Sequence, residues 1–256
     1  MADEVSYPNH FLKEAVSRVD FVAPVPVLEK TLPSKLGKIF SDHFPIIEPG
    51  EAVLHQFQLK FSGAEPLATQ QRTPLRMWNF FGKEREKQLT ISANFIFVSH
   101  TKYSNYESLK EDFGSALDAL TSFSPDTKAA RFGLRYINNL DADDLPVREG
   151  WEEYVSPDLV RAIGFFEPGH LRRVIQVAEL RCGELDLRFQ SGIPNPDFPS
   201  SPKRPSFVLD FDAYTQVAHD LQTSIQYMDQ AHDCIQDLFE HSITDKLRSR
   251  MNAASA

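Results

Sequence analysis

The chain is expected to be an α+β protein in which a unit of strand, helix, three strands and helix occurs twice. Three observations predict this. Apolar residues alternate at period two in several short segments and recur every three or four residues in others, the signatures of half-buried strands and amphipathic helices. The strand-like segments are joined by short turns, so consecutive strands pair antiparallel and each helix must bury its apolar stripe against sheet. The order of elements in the first half is repeated in the second, although residue identity between the halves is weak.

In chain order, AVSRVDFV at 15–22 alternates as a strand, and Leu28, Leu32, Leu36, Ile39 and Phe40 recur at helical spacing, with Pro33 marking a first helical turn. Three strands follow at 53–61, 76–81 and 88–103, the last long enough to bend across a sheet. Leu109, Phe113, Ala116, Leu117 and Leu120 line one face of a helix over 106–123, stopped by Ser124-Pro125-Asp126. The second unit opens on the strand ARFGLRYINNL at 130–140, with a helix over about 151–166. Strands are expected at 171–182, 184–190 and 206–214, the first two joined at Gly183. A helix from about Val217 to Met251 closes the chain, with a stop and restart at Ser242-Ile243-Thr244-Asp245. The repeats span about 8–125 and 129–251 of a single domain, 8–251. Residues 192–205 hold five of the 17 prolines and read as a loop that is either a lid or a plain insertion, and 252–256 as a frayed tail.

Length and composition bound the function. With 256 residues, 41% hydrophobic and 25% charged, the chain has the make-up of a packed domain. It holds no apolar run of the roughly 20 residues a bilayer span needs and no signal-peptide pattern, so it is expected to be cytoplasmic and away from membranes. Cys182 and Cys234 lack metal-ligand spacing and are expected to be small buried hydrophobes. Residues 1–140 carry 16 basic and 16 acidic side chains, whereas 141–256 carry 11 and 20, the whole net charge of −9. Nucleic acid is therefore a poor partner; the local basic set Arg72, Arg76, Lys83, Arg85 and Lys87 is explained equally by a solvated hairpin.

Phosphate-binding glycine loops, the nucleophile elbow and the zinc-protease helix motif are all absent, and no motif implies a cofactor or a metal. The candidate residues lie elsewhere. On the strand at 130–140, Arg131 and Arg135 share one face, and Tyr136 and Asn138 the other. Two guanidiniums on one face suit a carboxylate or phosphate. They equally suit ion pairs with Asp210 and Asp212, which share a face of the strand at 206–214. His232 falls inside the apolar stripe of the last helix, as a hydrogen-bonded core residue or a ligand-facing one.

The segments PNHFLKEAV, RFGLRYINNL, FVLDFDAY and AHDCIQDLFEHSITDKLRSRM resemble, in the same order and over nearly the whole chain, a sporadically distributed bacterial family of about this length. Its function is unassigned. The family's recurrent features fall here on Pro8, Glu14, Arg131, Gly133, Arg135, Tyr136, Asn138, His232, Phe239, Ile243, Thr244 and Asp245. The resemblance implies an accessory or defence role and supplies no reaction. A looser likeness, in architecture alone, is to duplicated strand-helix-strand-strand modules that hold a small effector between repeats.

These readings favour a non-enzymatic binding module that holds a protein or small ligand between its two halves. The alternative is an enzyme of unfamiliar type, with Arg131, Arg135, Asp210, Asp212 and His232 gathered in one cleft. RNA binding on an aromatic sheet face ranks third, against the acidity of the second half. Homodimerisation through the terminal helix or a sheet edge is compatible with the pattern.

Overall fold

The computed structural model describes residues 7–62, 65–142, 144–145, 150–161, 163–167, 170–201 and 203–252, the side chains of 52–74 excepted. Strand β1 (Leu12–Phe21) buries every second residue from Ala15 to Phe21, as the alternation in AVSRVDF requires of a strand with one face on a core. A 3-10 turn at Pro26–Glu29 and helix α1 (Ser34–His43) come next. Two hairpins follow, β2 (Ile46–Ser62) with β3 (Glu65–Phe81) and β4 (Lys87–Ser92) with β5 (Phe95–His100). Helix α2 (Tyr106–Phe123) ends the first half, its first turn capped by the Asn105 side chain, which accepts from Ser108 N at 2.8 Å.

The second half opens on β6 (Lys128–Asp141), a 3-10 turn at Trp151–Glu153 and the single-turn helix α3 (Pro157–Val160). Strands β7 (Val174–Cys182), β8 (Leu185–Ile193), β9 (Ser206–Thr215) and β10 (His219–Asp220) precede helices α4 (Thr223–Ser242) and α5 (Asp245–Asn252). All ten strands join one sheet in the order β2-β3-β4-β5-β1-β6-β9-β8-β7, with β10 also on β6. The seam between the halves is the antiparallel pair β1 and β6, in register with Ala15 opposite Tyr136 and Ser17 opposite Leu134.

The protein is thus α+β, with α1, α2 and α4 on one face of the sheet. Phe113, Leu117 and Leu120 of α2 and Met228, Ala231 and Ile235 of α4 close over Ala15, Val19, Phe132 and Leu134. Each large side chain buried this way contributes roughly 1.5–3 kcal/mol. Among the described residues, no helix is long and apolar enough to cross a membrane.

Several expectations need correcting. Residues 88–103 are not one bent strand: the Ser92 hydroxyl accepts from Asn94 N and Phe95 N at 3.1 and 3.2 Å, turning the chain into the β4-β5 hairpin. The first half therefore has four strands after its helix rather than three. The first helix, expected to start near Thr31 with Pro33 in its first turn, starts at Ser34, because Pro33 takes extended backbone at the cap. The helix expected over about 151–166 is reduced to the 3-10 turn at Trp151–Glu153 and the single turn α3. Residues 154–156 run beside 242–244 instead, Ser156 N donating to Ser242 O at 2.9 Å and Thr244 N to Tyr154 O at 3.0 Å.

That exchange also divides the terminal helix into α4 and α5, and the Thr244 hydroxyl accepts from Leu247 N at 3.4 Å. Cys182 and Cys234 are not separate hydrophobes but a disulfide, with Cα atoms 6.4 Å apart, pinning the end of β7 to α4. Fifty-two positions separate them, so only the tertiary path brings them together. Of the expected basic set, Arg85 pairs with Glu48 at 2.5 Å and Lys87 with Asp112 at 2.9 Å. The side chain of Arg72 and the tail at 253–256 lie outside the described residues.

Candidate functional site

Strand alternation divides the sequence-derived candidates between the two faces of the sheet. On the face away from the helices, Arg135 grips Asp210 through two hydrogen bonds of 2.8 and 2.6 Å, and Gln190 donates to the same carboxylate at 3.3 Å. Arg131 reaches Asp212 at 3.3 Å and Asp20 at 3.9 Å. Its guanidinium folds back over Gly133, where a Cβ would stand 2.8 Å from Nη1, and stacks 5.0 Å above Tyr214. Burial pushes the Asp212 carboxyl up, against the pull of both arginines. These four residues are ion pairs between neighbouring strands.

Tyr136, Asn138 and His232 lie on the opposite face, under the helices, so the sheet itself separates them from the Arg and Asp pairs. The cleft that would have gathered all five charged candidates does not exist. What forms instead is a smaller cleft of about 90 Å³ at one end of the β1-β6 seam. Its floor is Leu12 of β1 with Tyr136 and Asn138 of β6; its walls are the residues before and at the start of α2 and the outer half of α4. Both halves of the chain therefore contribute to it.

The cleft is built of rings. His232 stacks on Tyr106 with ring centres 3.8 Å apart and planes within 5° of parallel. Its Nδ1 is hydrogen-bonded to the Tyr136 hydroxyl at 3.0 Å. Tyr136 meets Tyr103 edge to face, and Tyr103 meets His10 in the same way. The His10 Nε2–H donates to the Tyr103 backbone oxygen at 2.8 Å. Two of the phenols are held by carboxylates: Tyr106 donates to Asp229 at 2.6 Å and Tyr7 to Glu240 at 2.8 Å.

Burial and these acidic partners push the Tyr7 phenol up to about 12 and Tyr106 higher still, so both stay neutral donors. Burial holds the His232 imidazole below its ordinary value and therefore neutral near pH 7. Two polar atoms of the cleft, His10 Nδ1 and His232 Nε2, are buried without any hydrogen-bond partner. Buried polar groups are nearly always paired, so each such atom calls for a reason.

Tyr136, Asn138 and His232, singled out from the strand and helix patterns, line this cleft together with Tyr7, His10, Tyr103, Tyr106 and Glu240, which those patterns did not single out. All but Glu240 sit before or at the start of an element, where side chains are aimed by the turn rather than by a period. The loop at 192–205, read as either a lid or a plain insertion, contributes none of the described residues that line the cleft.

A second polar cluster was also missed. Asp112 of α2, 4% exposed, accepts from Lys87 of β4 at 2.9 Å through both carboxylate oxygens and from His100 of β5 at 2.9 Å. His43 of α1 stands 3.6 Å away. Burial pushes Asp112 up, but the His100 and Lys87 hydrogen bonds outweigh it and hold the carboxyl below its ordinary value. This cluster clamps the helix layer to the sheet. No family model matches the chain, and no curated protein matches it.

Proposed function

We propose that the protein is a binding module whose ligand sits in the aromatic cleft between its two halves. One observation carries the reading: residues of both halves converge on a cleft that holds two buried, unpartnered imidazole nitrogens. Interior polar atoms are costly when unmade hydrogen bonds remain, about 1–3 kcal/mol each, so a site retained with two of them is organised around something it binds.

The same reading treats the halves as products of duplication. Outward from the seam, the strand order β1-β5-β4-β3 is mirrored by β6-β9-β8-β7, with α2 following the first set and α4 with α5 the second. Membership of the sporadic bacterial family, an accessory place in a defence or stress response, and a cytoplasmic setting rest on the sequence alone.

Native mass spectrometry of the protein isolated from its own host tests the reading. A mass above that of the chain, lost on denaturation and absent from a cleft-filling Gln236→Trp variant, supports it. A bare chain mass, or a ligand retained equally by Gln236→Trp, overturns it.

A further inference from the structure

Strand β7 ends the sheet: it pairs with β8, and its outer row of amides and carbonyls meets no other described strand. The hairpin turn sets which residues carry that row. Gly183, at φ 59°, and Glu184 form a two-residue loop closed by Cys182 and Leu185. Such a closing pair exchanges both of its hydrogen bonds, and hydrogen-bonded pairs alternate along an antiparallel ladder. The even-numbered residues of β7 therefore bond to β8, while Ile175, Val177, Glu179 and Arg181 turn their backbone groups outward.

Open edges are usually guarded by proline, lysine or a bulge. Strand β7 has none of these: it reads VIQVAELRC, and its register with β8 runs unshifted from Val174 to Cys182. Ile175 and Val177 are 44% and 50% exposed. The opposite edge, β2, carries Glu48, Pro49, Gly50 and Glu51. The disulfide from Cys182 to α4 holds the end of β7 in place.

This edge is complementary to itself in one antiparallel register. With Gln176 opposite Gln176 of a second copy, Ile175 faces Val177 and Arg173 faces Glu179, and the two-fold axis repeats both pairs. Each Ile175–Val177 pair then also exchanges two main-chain hydrogen bonds. Both charges are open to a new partner. Among the described residues Arg173 meets no carboxylate and rests 4.6 Å above the Phe198 ring. Glu179 stands 3.6 Å from Arg188, beyond hydrogen-bond range, with its side chain 61% exposed. Neighbouring registers fit worse. Centring on Ile175 sets Arg173 against Val177, on Val177 sets Arg173 against Arg181, and on Ala178 sets Ile175 against Arg181. Centring on Glu179 opposes two carboxylates, and on Leu180 leaves Ile175 and Val177 past the end of the second β7.

We infer that β7 is a self-association edge, on which a second copy of this chain pairs antiparallel about Gln176. Facing residues of an antiparallel pair point the same way, so the two sheets become one with both helix layers on the same side. The edge lies three strands from the β1-β6 seam, and the inference does not depend on the cleft.

Sedimentation equilibrium of the full chain at pH 7 tests it. The wild type is expected to form a reversible dimer with a Kd on the order of 100 μM or below. Glu179→Arg and Arg173→Glu each place like charges opposite one another twice per dimer, and each is expected to weaken it about tenfold. The double variant Arg173→Glu with Glu179→Arg restores the opposite-charge pairs and is expected to return the constant to within about threefold of wild type. Both side chains are exposed, so the variants keep the wild-type circular dichroism. A wild type that stays monomeric up to about 500 μM, a dimer indifferent to the single reversals, or a double variant as weak as the singles each overturns the inference.

Discussion

Replacing Asp112 with Asn tests how the helix layer is fastened to the sheet. The carboxylate is 4% exposed and accepts three hydrogen bonds from two donors, Lys87 on β4 and His100 on β5. Asparagine keeps the shape, removes the charge and puts an NH2 group where one of those donors now points. Removing one member of a buried ion pair costs about 3–5 kcal/mol. Lys87 is 22% exposed and can turn part of its ammonium to water, which lowers the expectation to about 2–4 kcal/mol. For a chain of this size that is a fall in Tm of about 5–15 °C.

Urea denaturation at pH 7 reads the free energy directly. Asp118→Asn, on the same helix with an exposed bond to Gln222, is the control, at under about 0.5 kcal/mol. The pH dependence carries a sign. Asp112 has a folded value below its unfolded one, so its contribution is complete above the unfolded value near pH 4 and is lost as pH falls through the folded value. The gap between wild type and Asp112→Asn therefore stays constant from pH 8 to 5 on account of this group and narrows below about pH 4. The double variant Asp112→Leu with Lys87→Met recovers part of the loss, because no charge is then stranded. A difference under 0.5 kcal/mol at pH 7 in Asp112→Asn alone would refute the clamp.

The disulfide closes a loop of 52 positions, worth about 4 kcal/mol in the chain-entropy picture. Urea melts of Cys234→Ser are expected to fall by about that amount, and two free thiols titrated in the native protein would sink the assignment. His232 titrates below its ordinary value because burial disfavours the charged ring. The unfolded chain then binds a proton near pH 6.5 that the folded chain refuses, so stability falls as pH drops through 6.5 towards the folded value. The urea midpoint between pH 7.5 and 5.5 is expected to slope less in His232→Phe, and an NMR titration of His232 at or above 6.5 counts against this. Arg135→Ala strands Asp210, 6% exposed, and is expected to cost about 1–3 kcal/mol. Arg131→Ala, whose partner Asp212 is more open to water, is expected to cost less, and a reversed order in denaturant melts shows the pairing to be misread.

Where a side-chain period runs through an element, the sequence was readable. The stripe of Leu109, Phe113 and Leu117 marks α2 to the residue, and alternation in RFGLRYINNL separates Arg131 and Arg135 from Tyr136 and Asn138 as the sheet does. Breaks made by tertiary partners were harder to read. The interruption at 243–244 showed only as a weakened turn, while its cause, pairing with 154–156, depends on a segment about 90 residues earlier. The same pairing, which holds 154–156 extended, explains why the apolar residues of 151–166 do not form one continuous helix. The turn at 92–95 rests on one serine hydroxyl, and the disulfide and the Asp112 clamp join elements with no sequence relation. His10 and Tyr103 form their hydrogen bond at the starts of two different segments, which no periodicity reports.

The seam at the middle of the sheet governs how this chain emerges during synthesis. Ala15 and Tyr136 are partners 121 positions apart, so β1 can dock on β5 well before β6 exists. Until residues 128–141 leave the ribosome, the nascent first half carries β1 as a bare edge, its row of amides and carbonyls open to any passing strand. The wait for β6 therefore leaves that edge exposed, and a translational pause placed before residue 128 would lengthen it.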